Sequence, residues 1–592
     1  MRRPRRLVYG LALVAGSLLS LSCGAGSANS GGSGGGGDTT PSIILINPAG
    51  ATAGGPGFTL TVSGVGFIST SAVNWNGAPR ATTLHSATVL SAAIAGADIA
   101  ISGSATVTVV NPTSFGEAIS NIVNFPINPV VIPPPTGAGV VALVSAADDG
   151  TPGNRQSDIG TISSTGRFVA FASLASNFSS MSNNSFYNIF LRDTCSAAPT
   201  VCAPSIIDVS VAPDGSLGNG DSGSSIGFAK YPALSGDGRY VGFVSNATNL
   251  VAGDTNGSTD VFLRDTCVGA VGGCSPSTTL ISVATDGTQG NGGSSDPSIS
   301  GDGRFVVFDS NATNLVANDT NAAADVFLRD TCIHAPSSCT PSTVRLSVAS
   351  DGTQGNDASD SPAISASGRF VAFQSYAKNL VADDTSLFIE IFVRDTCFNA
   401  TGSCTPSTTL VSVGPGGALG NAGSTFPAIN ADGRFIAFAS FASNLVPGGT
   451  LPFLNSVFVR DTCAGMLAGC SPATSLVSVS SSGIQGNDAS GLPAISSTGR
   501  FIAFNSDAKN LVIGDTNGFT DVFVHDTCAG ADVPCFPSTV IVSIKLDGTQ
   551  GNFNSAIPTI SADGHFVSFI GGSSNLVPIV AASNVFLART SF

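Results

Sequence analysis

The chain has 592 residues, with 23 basic against 38 acidic side chains, a net charge of −15, and only 10% of its residues charged. An acidic field repels phosphate, which argues against a nucleic-acid role. The abundance of Gly, Ser, Thr, Asn and Val favours short strands and turns over long helices, and the length calls for more than one core.

Residues 1–22 read as a signal peptide: Arg2 to Arg6 supply the positive end, 7–19 the apolar stretch, and Ser20-Leu21-Ser22-Cys23 the cleavage region. This resembles the lipobox of bacterial lipoproteins, which implies acylation of Cys23, a lipid-anchored membrane contact and a place in the cell envelope. Ser20 stands where that family usually has Leu. A plain secretory cut near Ala28 and a retained transmembrane anchor are the alternatives, although the apolar stretch is short for a span. Loss of the leader removes Arg2, Arg3, Arg5 and Arg6 and takes the charge to −19. The Gly/Ser-rich run 23–40 is a flexible tether.

Residues 41–127 alternate like strands at 43–46, 58–62, 72–75, 105–110 and 122–125, separated by Gly, Pro and Asn turns. That is enough for one small sandwich. Pro48, Gly54-Gly55, Gly64-Val65-Gly66-Phe67, Trp75-Asn76-Gly77 and Asn111-Pro112 resemble the immunoglobulin-like domain of the IPT/TIG family. The resemblance implies a spacer or adhesive module. Trp75 reads as a partly buried sandwich residue, with ligand stacking as the alternative. Residues 128–139, with Pro133-Pro134-Pro135, form a stiff linker.

From 140 to 592 a unit returns seven times at a spacing of about 65 residues, clearest as Pro-x-Ile-Ser-x-x-Gly-Arg-Phe-Val-Ala-Phe at 362–373. Each unit offers four short strands, and its third recurs at 188–193, 260–265, 325–330, 390–395, 456–461, 521–526 and 584–589. The last copy reaches Phe592 without a fourth strand, while an unclaimed one stands at 140–145. The two incomplete ends complete each other and remove two free edges. The fold class is therefore all-β, a seven-bladed β-propeller preceded by a small immunoglobulin-like sandwich. The repeats resemble the WD-like repeats of bacterial exported proteins, including the Tol-system periplasmic propeller. Their long second-to-third-strand connections and cysteine loops depart from that family's shorter unit.

Twelve of the 13 cysteines fall into six pairs of identical spacing: Cys195 with Cys202, Cys267 with Cys274, Cys332 with Cys339, Cys397 with Cys404, Cys463 with Cys470, and Cys528 with Cys535. Each pair lies between a third and a fourth strand. In an exported chain each oxidises to a local disulfide, and the odd Cys23 is accounted for by lipid. Metal binding by the pairs is the weaker alternative, because two ligands on each of several separate units do not make a tetrahedral site. Arg167, Arg239, Arg304, Arg369, Arg434 and Arg500 follow the first turn of their units, with His565 in the seventh place. Pairing with Asp193, Asp265, Asp330, Asp395, Asp461 and Asp526 is the expected role.

In a four-stranded meander the disulfide loops share one side with the first turns. The opposite side carries two long loops per unit and is the expected binding surface. One loop holds a Gly-Asn in every unit, at Asn154, Asn219, Asn291, Asn356, Asn421, Asn487 and Asn552, a turn whose amides can also face the central opening. The other carries Asp254/Asn256/Asp260, Asp319/Asn321/Asp325 and Asp515/Asn517/Asp521, with a weaker Asp384/Ser386/Glu390. Oxygens at positions one, three and seven suit calcium, a cofactor reading that stands beside plain Asx turns. His85, His334, His525 and His565 are scattered, and no nucleophile elbow or phosphate loop stands out. The expected function is an exported, surface-tethered binding or scaffold protein engaging a protein or glycan. The alternative is an extracellular hydrolase or lyase with a carboxylate-based site on the loop side.

Overall fold

The computed structural model describes residues 40–52, 57–100, 103–114, 116–128, 140–179, 185–198, 202–223, 232–270, 272–400, 402–466, 469–531, 534–579 and 581–592. The leader, Cys23, the tether as far as Thr39 and the linker beyond Asn128 lie outside the described residues. Within them the chain is all-β, with two short 3-10 turns and no α-helix. It divides into two compact units, the first holding 57–95 and 104–126 with the residues before 51, the second 51–56, 96–103 and 127–592.

In the first unit Ser42–Asn47, Phe58–Val65, Val89–Ile94 and Thr82–Ser86 form one antiparallel sheet. Val123–Asn128, Gly103–Thr113 and Ala72–Trp75 belong to a second. Phe58 meets Phe125 and Trp75 at ring-centroid distances of 5.5 and 6.5 Å, so the two sheets share one core, in which Trp75 is buried. The hairpin Thr82–Ser86/Val89–Ile94 is an addition to the expected strands. Its turn through Ala87 carries none of the Gly, Pro or Asn signals that marked the others.

The second unit contains seven four-stranded antiparallel sheets, numbered here in chain order. Sheet three is Ser294–Ile299, Phe305–Ser310, Asp325–Asp330 and Ser342–Arg345; sheet four is Ser359–Ile364, Phe370–Ser375, Glu390–Asp395 and Ser407–Leu410. The seventh takes Ser555–Ile560, Phe566–Gly571 and Asn584–Arg589 from the C-terminal end and Val141–Leu143 from the start of the unit. Val141, Ala142 and Leu143 stand opposite Ala588, Leu587 and Phe586, as the complementary chain ends require.

Second and third strands are buried on both faces, so their apolar residues are nearly continuous rather than alternating. Every sheet stacks one phenylalanine on another across these strands, as Phe308 on Phe327 at 5.9 Å and Phe569 on Phe586 at 5.4 Å. Such a pair adds about 1 kcal/mol beyond its buried area. Each core is shared between neighbours: Phe305 of sheet three packs with Val371 and Phe373 of sheet four. Phe566, Val585 and Leu587 of the seventh sheet pack with Val169 and Phe171 of the first, which closes the succession.

The Gly-Arg-Phe line has a specific cause. Gly303 turns with φ +79°, and a side chain there would strike the ring of Tyr240 in the preceding sheet. Gly368 stands in the same way against Phe305, Gly433 against Phe370, and Gly166 against Phe566 across the closure. The next residue, Arg304, lays its guanidinium 4.6 Å over Phe305 and forks onto Asp330 at 2.8 and 2.7 Å.

Candidate functional site

The two sides of the seven-sheet unit differ in kind. On the side of the first turns, the six expected cysteine pairs are disulfides: Cys195–Cys202, Cys267–Cys274, Cys332–Cys339, Cys397–Cys404, Cys463–Cys470 and Cys528–Cys535. Each pair stands beside the third-strand aspartate of its sheet, as Cys463 and Cys470 beside Asp461, but sulfurs bonded to each other offer no thiolate to a metal. The second cysteine of a pair has a further contact that its spacing did not announce. In sheet six the Arg500 guanidinium lies 3.6 Å from the Cys535 sulfur, and Arg239 lies 3.3 Å from that of Cys274, so the arginine ties the disulfide loop to the turn below it.

All six expected arginines pair with their third-strand aspartates at 2.6 to 2.7 Å. The Asp330 carboxyl raises the Arg304 pKa by hydrogen bonding, and the cost of burying Asp330 is outweighed by Arg304 and the Cys332 amide, which hold it below the usual carboxylate range. His565, in the seventh place, bonds Asp563 instead. These side chains are consumed in structure.

On the opposite side the two long loops of adjoining repeats are clamped together. The Asn291 side chain accepts from the Thr313 amide at 2.8 Å, its own amide is capped by Asn314, and Asn314 donates to the Gln289 carbonyl. The same exchange is made by Asn154, Asn219, Asn356, Asn421 and Asn487, so the repeated Gly-Asn is a loop fastener.

The three expected oxygen sets are each brought together. In sheet two, Asn256 donates to Asp260 at 2.9 Å and Ser282 to the other Asp260 oxygen at 2.5 Å. The Gln289 side-chain amide stands between the carboxylates, 2.8 Å from Asp254 and 3.0 Å from Asp260. In sheet three, Asn321, Ser347 and Gln354 repeat this around Asp319 and Asp325, with Arg345 added at 3.3 and 3.4 Å. In sheet six, Asn517 and Ser543 hold Asp521 at 2.7 and 2.6 Å, while Gln550 turns to the Gly514 carbonyl. Burial raises the pKa of Asp260, Asp325, Asp515 and Asp521, the last to about 6. A calcium ion between Asp254 and Asp260, or between Asp319 and Asp325, would have to displace the glutamine amide.

The central opening is where the sheets stop being alike. Their innermost strands line a cavity of about 260 Å³ with the recurring Pro-x-Ile, an apolar wall that includes Pro297, Ile299, Pro362 and Ile364. At the loop-side end of these strands the ladder slips, and the residue just before the proline adopts positive φ. These residues are Asp296, Ser361, Phe426, Leu492 and Ile557, with φ between 49° and 58°. For non-glycine residues, and above all β-branched Ile557, this backbone is costly, on the order of 1–2 kcal/mol each. Asp296, Ser361 and Phe426 border a second cavity of about 600 Å³, whose wall adds Asp309, Asp360 and Gln374. Ser361 donates to Asp296 at 3.0 Å, Ser295 to Asp309 at 2.7 Å, and Gln374 bonds Asp360 while accepting from the Phe426 amide at 2.9 Å. The mouth therefore has an acidic, hydroxyl-bearing sector over sheets three and four, bordered by Phe426, and Leu492 and Ile557 hold the equivalent strand positions in sheets six and seven.

Sequence reasoning placed the binding side on the loops but passed over these five positions. The available signal was the residue before each repeated proline, which, with the residue preceding it, varies between a recurring serine and the recurring Pro-x-Ile.

No protein-family model and no curated protein matches the chain. Among solved structures it is similar to an auxiliary nutrient binding protein from Bacteroides ovatus, at 10% identity over 80% of this chain and 96% of that one, with a TM-score of 0.29. It is likewise similar to the NanB sialidase from Streptococcus pneumoniae, at 10% identity over 90% and 83% of the two chains, with a TM-score of 0.27. These are loose likenesses among all-β proteins, and nothing about the site follows from them.

Proposed function

We propose that this is an exported binding protein: a seven-bladed β-propeller whose loop-side mouth takes a neutral or basic ligand, a glycan or a segment of an exported protein. The first unit is read as an immunoglobulin-like spacer of the IPT/TIG kind, the repeats as WD-like, and Cys23 as a lipid anchor to the cell envelope. The observation that carries the reading is the row of five strained residues before the prolines. The bulged, positive-φ backbone recurs in five described repeats while its side chain differs in each, and variable side chains on a shared, strained backbone suit contact with a ligand. Carboxylates beside hydroxyl and amide groups suit sugar hydroxyls or lysine and arginine, and the bordering Phe426 suits a sugar face or an apolar side chain. Six disulfides fit an oxidising compartment.

One observation favours a second reading. Asp296, Asp309 and Asp360 share one cavity, and paired carboxylates are what glycoside hydrolysis uses. A screen of glycans and peptides with the oxidised protein separates the two. Specific binding without turnover, weakened by Asp296→Asn, supports the binding protein. Turnover abolished by a single one of the three carboxylate-to-amide changes establishes the hydrolase.

A further inference from the structure

The four acidic loops are variants of one frame, and the differences between them can be compared atom for atom. In sheets two and three the two carboxylates are bridged by the amide of a glutamine that sits opposite Val283 or Val348 in an isolated bridge. In sheet four the bridge is Val413 to Leu419, so leucine stands in the glutamine's place. The asparagine of the frame is Ser386, and the position of Arg345 is held by Leu410. Three nitrogen donors have gone, yet both acids remain as Asp384 and Glu390.

In sheets one and five the donors and acids change in other combinations: Leu217 faces a frame with Asn188, and Gln485 donates to Ser456 at 3.1 Å. Sheet four keeps two carboxylates and loses every amide between them. The result is visible in the side chains. Glu390 is 2% exposed and neither of its oxygens has a hydrogen-bond partner. One Asp384 oxygen accepts from the Ser386 amide at 2.9 Å; the other is buried and also has no partner. The Ser386 hydroxyl accepts from the Phe388 amide at 3.1 Å and lies close enough to the Glu390 carboxyl to act on it. The Lys378 ammonium bonds the Phe388 carbonyl at 3.2 Å and acts on Glu390 through its charge, without donating to either of its oxygens.

Burying a carboxylate with no donor costs several kcal/mol, and two side by side add repulsion. Something positive must complete the cluster, and every unsatisfied atom is a carboxylate oxygen.

We propose that Glu390 and Asp384, with the hydroxyl of Ser386, form a binding site for a calcium-class divalent cation in sheet four. Oxygen-only ligation by two carboxylates and a hydroxyl, with water in the remaining positions, selects a hard ion over zinc or copper. The ion takes the place that the glutamine amide fills in sheets two and three. It fixes loop 384–390, which presents Leu387 to solvent at 86% exposure on the loop side. A resident cation thus couples calcium supply to the shape of one sector of the binding side.

The test is calcium chloride titration of the oxidised full chain after EDTA treatment, by calorimetry and by melting. The wild type takes up calcium at one site and melts higher with it. Glu390→Gln removes the uptake and the shift. Leu419→Gln, which restores the amide while keeping both acids, also removes them and melts no lower than the calcium-free wild type. No uptake by the wild type at millimolar calcium overturns the proposal in favour of a shared proton. Uptake that survives in Glu390→Gln overturns it, in favour of sheet two where it disappears in Asp254→Asn and of sheet six where it disappears in Asp515→Asn.

Discussion

The two ends of the innermost strand obey different rules. At the disulfide end, the turn that follows is the same in all seven sheets: a glycine at positive φ beneath an aromatic ring of the neighbouring sheet. At the loop end, among the described residues, five sheets force positive φ on Asp296, Ser361, Phe426, Leu492 and Ile557, of which only the aspartate adopts it readily. Where the packing between sheets demands a conformation, the chain repeats the one residue that provides it. At the loop end the strained backbone is repeated but the side chain on it is not.

The comparison first depends on the closure of the ring. Deleting 140–145 removes the pairing of Val141–Leu143 with the last strand, the buried Val144, and the Ser145 hydroxyl that accepts from Val585. We expect a loss on the order of 5 kcal/mol in calorimetry, because an edge and half a core are opened together. A deletion variant that melts with the wild type would show that the ends do not close the unit.

Gly303→Ala tests the repeated end. The new methyl enters the Tyr240 ring at a backbone angle alanine avoids, and a loss of ~3 kcal/mol is expected in urea unfolding.

His525 sharpens the same side by pH. It occupies the third-strand place held by arginine in sheets one to five, donates or accepts with Thr539 at 2.9 Å, and burial lowers its pKa from 6.5 to about 4. The unfolded chain therefore takes up this proton first. The contribution of His525 is complete above the unfolded value and is lost as pH falls from 6.5 through 4, amounting to roughly 3 kcal/mol. Asp521, raised to about 6 by burial, acts in the opposite sense in the same sheet, so the slope is read as the difference between wild type and His525→Gln. Equal slopes in the two proteins would remove the histidine from the account.

The smallest effect is expected at the loop end. Ile557→Gly discards a large, half-buried side chain but relieves β-branched backbone strain, so stability changes by no more than about 1 kcal/mol. A loss of the size seen for Gly303→Ala would mean that the loop-side residues are there for packing.

Much of this architecture was legible because repetition makes geometry visible in a sequence. The seven Gly-Arg-Phe lines, the six cysteine pairs from Cys195 to Cys535 and the incomplete ends each led to the contact found. The arginines met their aspartates for the same reason, since residues that recur together at fixed spacing are fixed to one another. The mouth was hidden because its residues do not recur. Asp296 and Ile557 share a backbone position and nothing else, and a residue before proline is ordinarily extended, so positive φ there is not a sequence expectation. The acidic loops were half visible. The oxygens of Asp254 and Asp260 were found at the right spacing, but the donor that separates them, Gln289, belongs to another loop nearly thirty residues on. Its replacement by Leu419 in sheet four acquires meaning only when the loops are folded against each other.

The most direct test of the claim that the variable end is the binding end is hydrogen exchange on the complex with the tightest ligand from the glycan and peptide screen. Protection is expected in 294–298, 359–363, 424–428, 490–494 and 555–559, with the disulfide loops unchanged. Protection centred on the disulfide loops, with those five segments exchanging as in the free protein, would contradict it.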